Sequence, residues 1–501
     1  MPVTPLAPEL RALVAHHLPN RDIKSLRLVC KDSWDKFHLR LDRVFLSANP
    51  LHIQVFRSIA DHETFHHGIV EIIWDDARLR GEASSTELRE IEDNLGDSEE
   101  ISGEANRAYS APRWYRTLCC QSISDLRRRS GGPRDRPAAQ ARLRQLDQRL
   151  SNIESWKYYE HLLQQQQQVL DSDADAEALR YGLVRFPALS RLIVTPTAHG
   201  FLFGSLYQTP MIRAFPYGFI YPVPIAWPAK GDFDMPTYVK PWDDEQRQIW
   251  RGVCVVLREL AMQDHHAVDF LIQPNGHKTG LNSRIFEQPC REYDYLVKLL
   301  SRPGVRHLEL SLLADEEEED WGALRNGRLR SALREAADLE HLDFRLQIDA
   351  DQNIDRETLP SLHSMLPSDC WPKLQHFGLT RAIVRHEELS SVLQNLPPTA
   401  RLVELNELRF LGEGPNPDLC QRSLVRRLRE DLDWRARRPE DRPRIALYTD
   451  HHEGMTRQKC YDAEVYSFVY GNGPNPFDMG EVAIPVGYAR DPLKPDYKET
   501  Y

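Results

Sequence analysis

Apolar residues follow two different rhythms along this chain. Near the start they fall at helical spacing. Leu6, Leu10, Leu13, Val14 and Leu18 form one stripe, with Pro8 suited to a first helical turn. Pro19 and Asn20 interrupt it, and Asn20 is placed to cap a second helix carrying Ile23, Leu26, Val29 and Cys30. Trp34 and Phe37 follow. Two or three short helices of this size cannot close a core alone, so their leftover apolar surface must rest on other chain or on a partner. Further on, the period drops to two. Leu308 and Leu310, Leu342 and Phe344, Phe377 and Leu379, Leu408 and Phe410 alternate with polar residues. These pairs recur every 31 to 35 residues or so, and each has an apolar residue three places earlier: Val305, Leu339, Leu374 and Leu405.

Similar short segments extend the series: "VFLS" from Val44, "GIVEIIWDD" around Ile72, "RLIVT" around Leu192, "VDFLIQ" around Phe270 and "RIALYTD" from Arg444. Helical patterns lie between them. Asn49 is a cap with Pro50 as first helical residue, and "DDEQRQIWRGVCVVLRELAMQ", "REYDYLVKLLSR" and "HEELSSVLQNL" are amphipathic. A strand then a helix, repeated, predicts an α/β fold with a parallel sheet. The L-x-x-L-x-L skeleton is similar to a leucine-rich repeat without its usual Asn or Cys, so the expectation is an irregular β/α solenoid; a doubly wound α/β domain is the runner-up.

Five regions follow: a helical module at 1–42, first β/α units at 43–78, a charged and flexible insertion at 79–152, the main array at 153–450, and a capping tail at 451–501. The insertion combines an acidic half, "ELREIEDNLGDSEEISGE", with an Arg-rich half, "DLRRRSGGPRDRPAAQARLRQLDQRL". Within the array, 215–242 is rich in proline and aromatics and is expected as an extended loop that packs across the array or forms a recognition surface.

Composition narrows the function. A net charge of -11 argues against bulk nucleic-acid binding. The first residues lack a basic start followed by an apolar run, and no stretch approaches the roughly 18 apolar residues of a membrane span, so a cytoplasmic or nuclear protein is expected. The 8 cysteines form no CxxC pair, consistent with reduced thiols. Nucleotide-binding glycine loops, the H-E-x-x-H signature and the G-x-S-x-G elbow are all missing. Asp171, Asp173 and Asp175 have calcium-loop spacing, but Ala176 and Gly182 stand where that loop needs glycine and glutamate. No catalytic residue, metal set or cofactor is expected.

The opening segment resembles an F-box. The residues that carry the likeness are Leu6, Pro8, Glu9, Leu10, Val14, Leu18, Pro19, Asp22, Ile23, Leu26, Leu28, Val29, Cys30, Lys31 and Trp34; Ala7 and Ala15 depart from the family pattern. "FPALSRLIV", "LNSRIFEQPCREYDYLVKLLSRPGVRHLELSL" and "NPFDMGEVAIPVGYARDP" are similar to segments of long F-box proteins with degenerate leucine-rich-like repeats. The resemblance implies a non-catalytic substrate-recognition subunit of a cullin-type (SCF) ubiquitin ligase, bridging a Skp-type adaptor, and through it a cullin scaffold, to a protein target. Leu6, Pro8, Leu10, Val14, Leu18, Pro19, Ile23, Leu26, Val29 and Trp34 would meet the adaptor. By strand alternation Glu309, Ser311, Asp343, Arg345, Thr380 and Arg409 face away from the core and would meet the target. The alternative is an interaction scaffold with no role in ubiquitin transfer.

Overall fold

Three of the four period-two pairs, at Leu308, Leu342 and Phe377, become strands of one parallel sheet. In a computed structural model of the chain, the described residues are 7–83, 85, 88–89, 111–129, 137–229, 239–263, 269–314, 321–347, 359–411, 417–450, 457–478 and 486–488. The strands in chain order are β1 (Arg43–Leu46), β2 (Glu71–Asp75), β3 (Arg191–Thr195), β4 (Asp269–Ile272), β5 (Leu281–Asn282), β6 (His307–Leu313), β7 (His341–Gln347), β8 (His376–Thr380), β9 (Ile383–Val384), β10 (Leu402–Asn406), β11 (Arg409–Phe410), β12 (Arg444–Ala446), β13 (Tyr448–Asp450), β14 (Arg457–Cys460) and β15 (Val486–Tyr488). The main sheet runs β1-β2-β3-β4-β6-β7-β8-β10-β12, with β5 beside β6. Every neighbouring pair in it is parallel, and the strand order never reverses. β9 and β11 form a separate parallel pair, and β13, β14 and β15 a small antiparallel sheet.

Helices return the chain between strands, and their local signals are chemically plain. The Asn49 side chain accepts from the amides of Leu51 and His52, and Pro50 opens the helix Pro50–Ala60. Ser151 and Glu154 close a reciprocal capping box at the start of Asn152–Ser172. One face of the sheet packs against these helices. Leu308, Leu310, Leu342, Phe344, Phe377, Leu379, Val403 and Leu405 share a core with Val253 and Leu257 of Arg251–Met262, Leu296 and Leu300 of Arg291–Leu300, and Leu389 and Val392 of His386–Gln394. The apolar anchors of the sequence are therefore core residues.

Three expectations change. The fourth repeat is out of register. Its strand is β10, with Ala400, Val403 and Leu405 where Leu405, Leu408 and Phe410 had been expected. Ala400 is buried and does the work of the first leucine, but a small residue hides that from a reading that looks for large ones. The region 79–152, expected as a mobile loop or a loose helix, has among its described residues the packed helices Arg113–Arg129 and Pro137–Asp147. Tyr115, Cys119, Ile123 and Leu126 lie at helical spacing and pack with Tyr159, Leu162 and Phe219 in a second apolar cluster. The many charged residues around them conceal this narrow apolar stripe. Asn20 does not cap its helix; its side chain exchanges hydrogen bonds with the Arg40 backbone at 2.5 and 2.9 Å, tying the end of the N-terminal module back to its middle.

The described first part of the proline-aromatic loop packs for the most part: Phe219, Ile220, Tyr221 and Trp227 are buried, Tyr217 is exposed, and Tyr115 donates to the Ile220 carbonyl at 2.7 Å. The rejected calcium loop has another use. Arg251 binds both carboxylate oxygens of buried Asp175 at 2.6 and 2.8 Å and reaches Asp173 at 2.7 Å. Residues 230–238, the acidic run 316–320 and most of the tail from 451 lie outside the described residues.

Candidate functional site

The face of the sheet turned from the helices carries polar side chains in register over β6 to β10, while over β1 to β4 Phe45, Ile73, Ile193 and Leu271 make part of it apolar. Parallel pairing aligns equivalent positions of neighbouring strands, so side chains form rows across the sheet. The first row runs Arg43, Glu71, Arg191, Asp269, His307, His341, His376. Its first part is an alternation of charge. Arg43 binds Glu71, and Arg191 reaches Asp269 at 2.8 Å and Glu71 at 3.8 Å.

Its second part is a close row of three imidazoles, with 38° between the first two ring planes and 63° between the last two. Ring centroids of His307 and His341 are 3.8 Å apart, as are those of His341 and His376. The Nδ1 atoms of His341 and His376 are 3.0 Å apart, so one ring donates and the other accepts. Burial, then the neighbouring His307, His376 and Arg191, pushes the His341 pKa far down and keeps the ring neutral.

The second row places Glu309, Asp343, Gly378 and Glu404 side by side. Gly378 leaves room for its neighbour: a Cβ there would stand 3.1 Å from Asp343 Oδ1. Burial would raise the Glu309 carboxyl, but His307, the Gln273 amide (2.8 Å) and Arg345 together hold it below the usual range. Asp343 goes the other way, raised to about 6 by burial and by Glu309. One carboxylate of the pair thus carries the charge more readily than the other. Glu309 Oε1 lies 3.2 Å from His307 Nε2, and Glu404 Oε2 lies 3.5 Å from His376 Nε2. One ligand atom each from His307, Glu309 and His341 falls within 4.8 Å of the others, a set able to hold a metal ion.

Of the residues expected to face a target, Glu309, Asp343 and Arg345 are half-buried on this face. Ser311 and Thr380 are on the same face but buried, and Ser311 donates to the Thr279 carbonyl. Arg409 is exposed but sits on β11, outside the main sheet; the register shift puts Glu404 and Asn406 where it had been expected. The histidines went unread in the sequence although the signal was there. "RHLELSL", "EHLDFRL" and "QHFGLTR" each carry a histidine directly before the first anchor of a repeat.

The residues expected to face an adaptor divide by exposure. Leu10, Val14, Pro19, Val29 and Trp34 are exposed, Leu18 and Leu26 are half-buried, and Ile23 is buried inside the module. Pro8 opens the first helix, Pro8–His17, and Leu6 lies outside the described residues. The Arg27 guanidinium covers one face of the Trp34 ring at 4.0 Å.

A third polar group is closed to solvent. His199 Nδ1 is 3.0 Å from the Tyr221 hydroxyl and His199 Nε2 is 3.9 Å from Asp75, with all three residues buried. Burial raises Asp75 to about 8 and lowers His199 to about 4, so both are neutral near pH 7. No family model matches the chain, and no curated protein matches it.

Proposed function

We propose that this chain is the substrate-recognition subunit of a cullin-type ubiquitin ligase. Its N-terminal helices act as an F-box-like module that docks a Skp-type adaptor, and its sheet and helices act as an irregular leucine-rich-repeat-like solenoid that holds a protein target. The observation that carries this reading is a cluster of exposed apolar side chains. Leu10 is 51%, Leu13 56%, Val14 43%, Leu28 81%, Val29 72% and Trp34 53% exposed, all within one short helical module. Elsewhere among the described residues, large exposed apolar side chains are scattered singly, as at Val184, Tyr217, Met262 and Tyr466. A concentration of this kind marks an interaction surface. The exposed residues are largely those that carry the F-box likeness, which names the occupant.

The strand order supports the solenoid reading, because a doubly wound sheet reverses its order partway and this one does not. Target binding falls to the polar face around Glu309, Asp343 and Arg345. Transfer of ubiquitin is left to a conjugating enzyme elsewhere in the assembly. No described helix is long and apolar enough to cross a membrane.

The test is made in cells. Proteins captured with the intact chain should include adaptor and cullin, and at least one further captured protein should accumulate when the proteasome is inhibited. Capture of adaptor without any protein that responds to inhibition would favour the scaffold. Capture of neither would remove the reading.

A further inference from the structure

We propose that His307, Glu309 and His341 form a binding site for a divalent transition-metal ion of the zinc class, on the open face of the sheet. The donor set suits that ion. Two imidazole nitrogens and one carboxylate oxygen are a frequent zinc triad, with a fourth position left to water. The spacing suits it too. Zinc bonds of about 2.0–2.2 Å set tetrahedral ligand atoms about 3.3–3.6 Å apart, and His307 Nε2 stands 3.2 Å from Glu309 Oε1, close to the lower end. The third ligand atom lies within 4.8 Å of both, a gap that small side-chain rotations close.

An independent observation points at the same place. His307 Nε2 is buried, and its contact with Glu309 Oε1 at 3.2 Å falls outside hydrogen-bond geometry. A buried ring nitrogen without a well-aligned partner is unfavourable, and coordination to a cation would satisfy it. His341 Nδ1 is engaged with His376, which leaves Nε2 for the metal. His376 Nε2 in turn faces Glu404 Oε2 at 3.5 Å. The second nitrogen of a zinc-bound histidine is usually held by a carboxylate, carbonyl or water; here an imidazole that itself faces a carboxylate takes that place. The ligands sit on adjacent strands locked in register by backbone pairing, so the backbone that carries them is fixed before any ion arrives. Beside Glu309, the Asp343 carboxyl supplies a second acidic group to offset the charge of the cation. This inference does not depend on the ubiquitin-ligase reading.

The test is a titration of the intact chain with zinc chloride against a chromophoric chelator. Wild type should take up one equivalent tightly. The paired change His307→Gln with Glu309→Gln should weaken that equivalent at least about 100-fold. His376→Gln, which leaves all three ligands in place, should weaken it about 10- to 100-fold. Cobalt(II) added to wild type gives a reading that needs no variant: a tetrahedral site produces intense visible absorption. The proposal is overturned if wild type binds no stoichiometric zinc, if the paired variant retains it, or if cobalt gives only the pale spectrum of a hexacoordinate ion.

Discussion

The N-terminal helices and the sheet treat their apolar residues in opposite ways. In the sheet, Leu308, Leu310, Leu342, Phe344, Phe377 and Leu379 are all at most 1% exposed, and their polar neighbours form ordered rows on the other face. In the first helices only Ile23 is buried among the described large apolar residues, while Leu10, Leu13, Val14, Leu28, Val29 and Trp34 face outward. The same residue types meet the same solvent with different results. The sheet completes its core from its own chain, because each strand has a helix to return it and a neighbour to pair with. The module is too short to do so, and its surplus apolar surface stays exposed, the feature on which the proposed adaptor docking rests.

The contrast can be broken most forcefully inside the sheet. Phe344→Ala should cost about 3–5 kcal/mol in chemical denaturation, since the ring is fully buried in the main core. Cutting the ion pair beneath the core helices should cost slightly less. Asp175→Ala strands Arg251, whose side chain is 12% exposed, but Asp173 remains to it, so about 3 kcal/mol is expected in the same assay.

The effect of pH comes next and belongs to the body of the protein alone. His52 and His199 are held neutral by burial, down to about 3 and about 4. An unfolded chain protonates both near pH 6.5, so it binds more protons than the native state below that value, and stability falls as the pH drops. Asp75 has the opposite sign. Raised to about 8, it keeps its proton in the native state where the unfolded chain loses it, so its contribution falls as the pH rises from about 4 to about 8. Two histidines outweigh one carboxyl on the acid side. For these groups the thermal midpoint should peak near pH 6.5, and Asp75→Asn should flatten the alkaline limb. A midpoint that kept rising through pH 8 in wild type would contradict the assignment.

The smallest effect sharpens the comparison. Leu28→Asp and Val29→Asp should each change stability by no more than about 0.5 kcal/mol, because neither side chain is buried. A loss of several kcal/mol on denaturation would mean that this surface is part of the core and needs no partner.

How far the sequence foretold this is uneven, for reasons that can be named. "RLIVT" is β3 to the residue, and Asn49 with Pro50 starts its helix as expected, because local chemistry decides both. Alternation put Glu309 and Asp343 on the right face. It failed at Arg409, because choosing between Ala400 and Leu405 as the first anchor needs knowledge of which strand pairs with β8. The Arg-rich helix Arg113–Arg129 was hidden because charged residues outnumber the four spaced apolar ones that decide its fate. The histidine row was visible as a repeated letter, but only register turns three separate histidines into one close row.

The most direct measurement is the affinity of the purified, folded chain for a purified Skp-type adaptor, wild type against the pair Leu10→Asp and Val29→Asp. Burying each side chain in an interface is worth roughly 1.5–3 kcal/mol. The account predicts stable binding by wild type and a loss of at least about 100-fold in the variant, with the thermal midpoint unchanged. Equal binding by both proteins, or none by folded wild type, would contradict it.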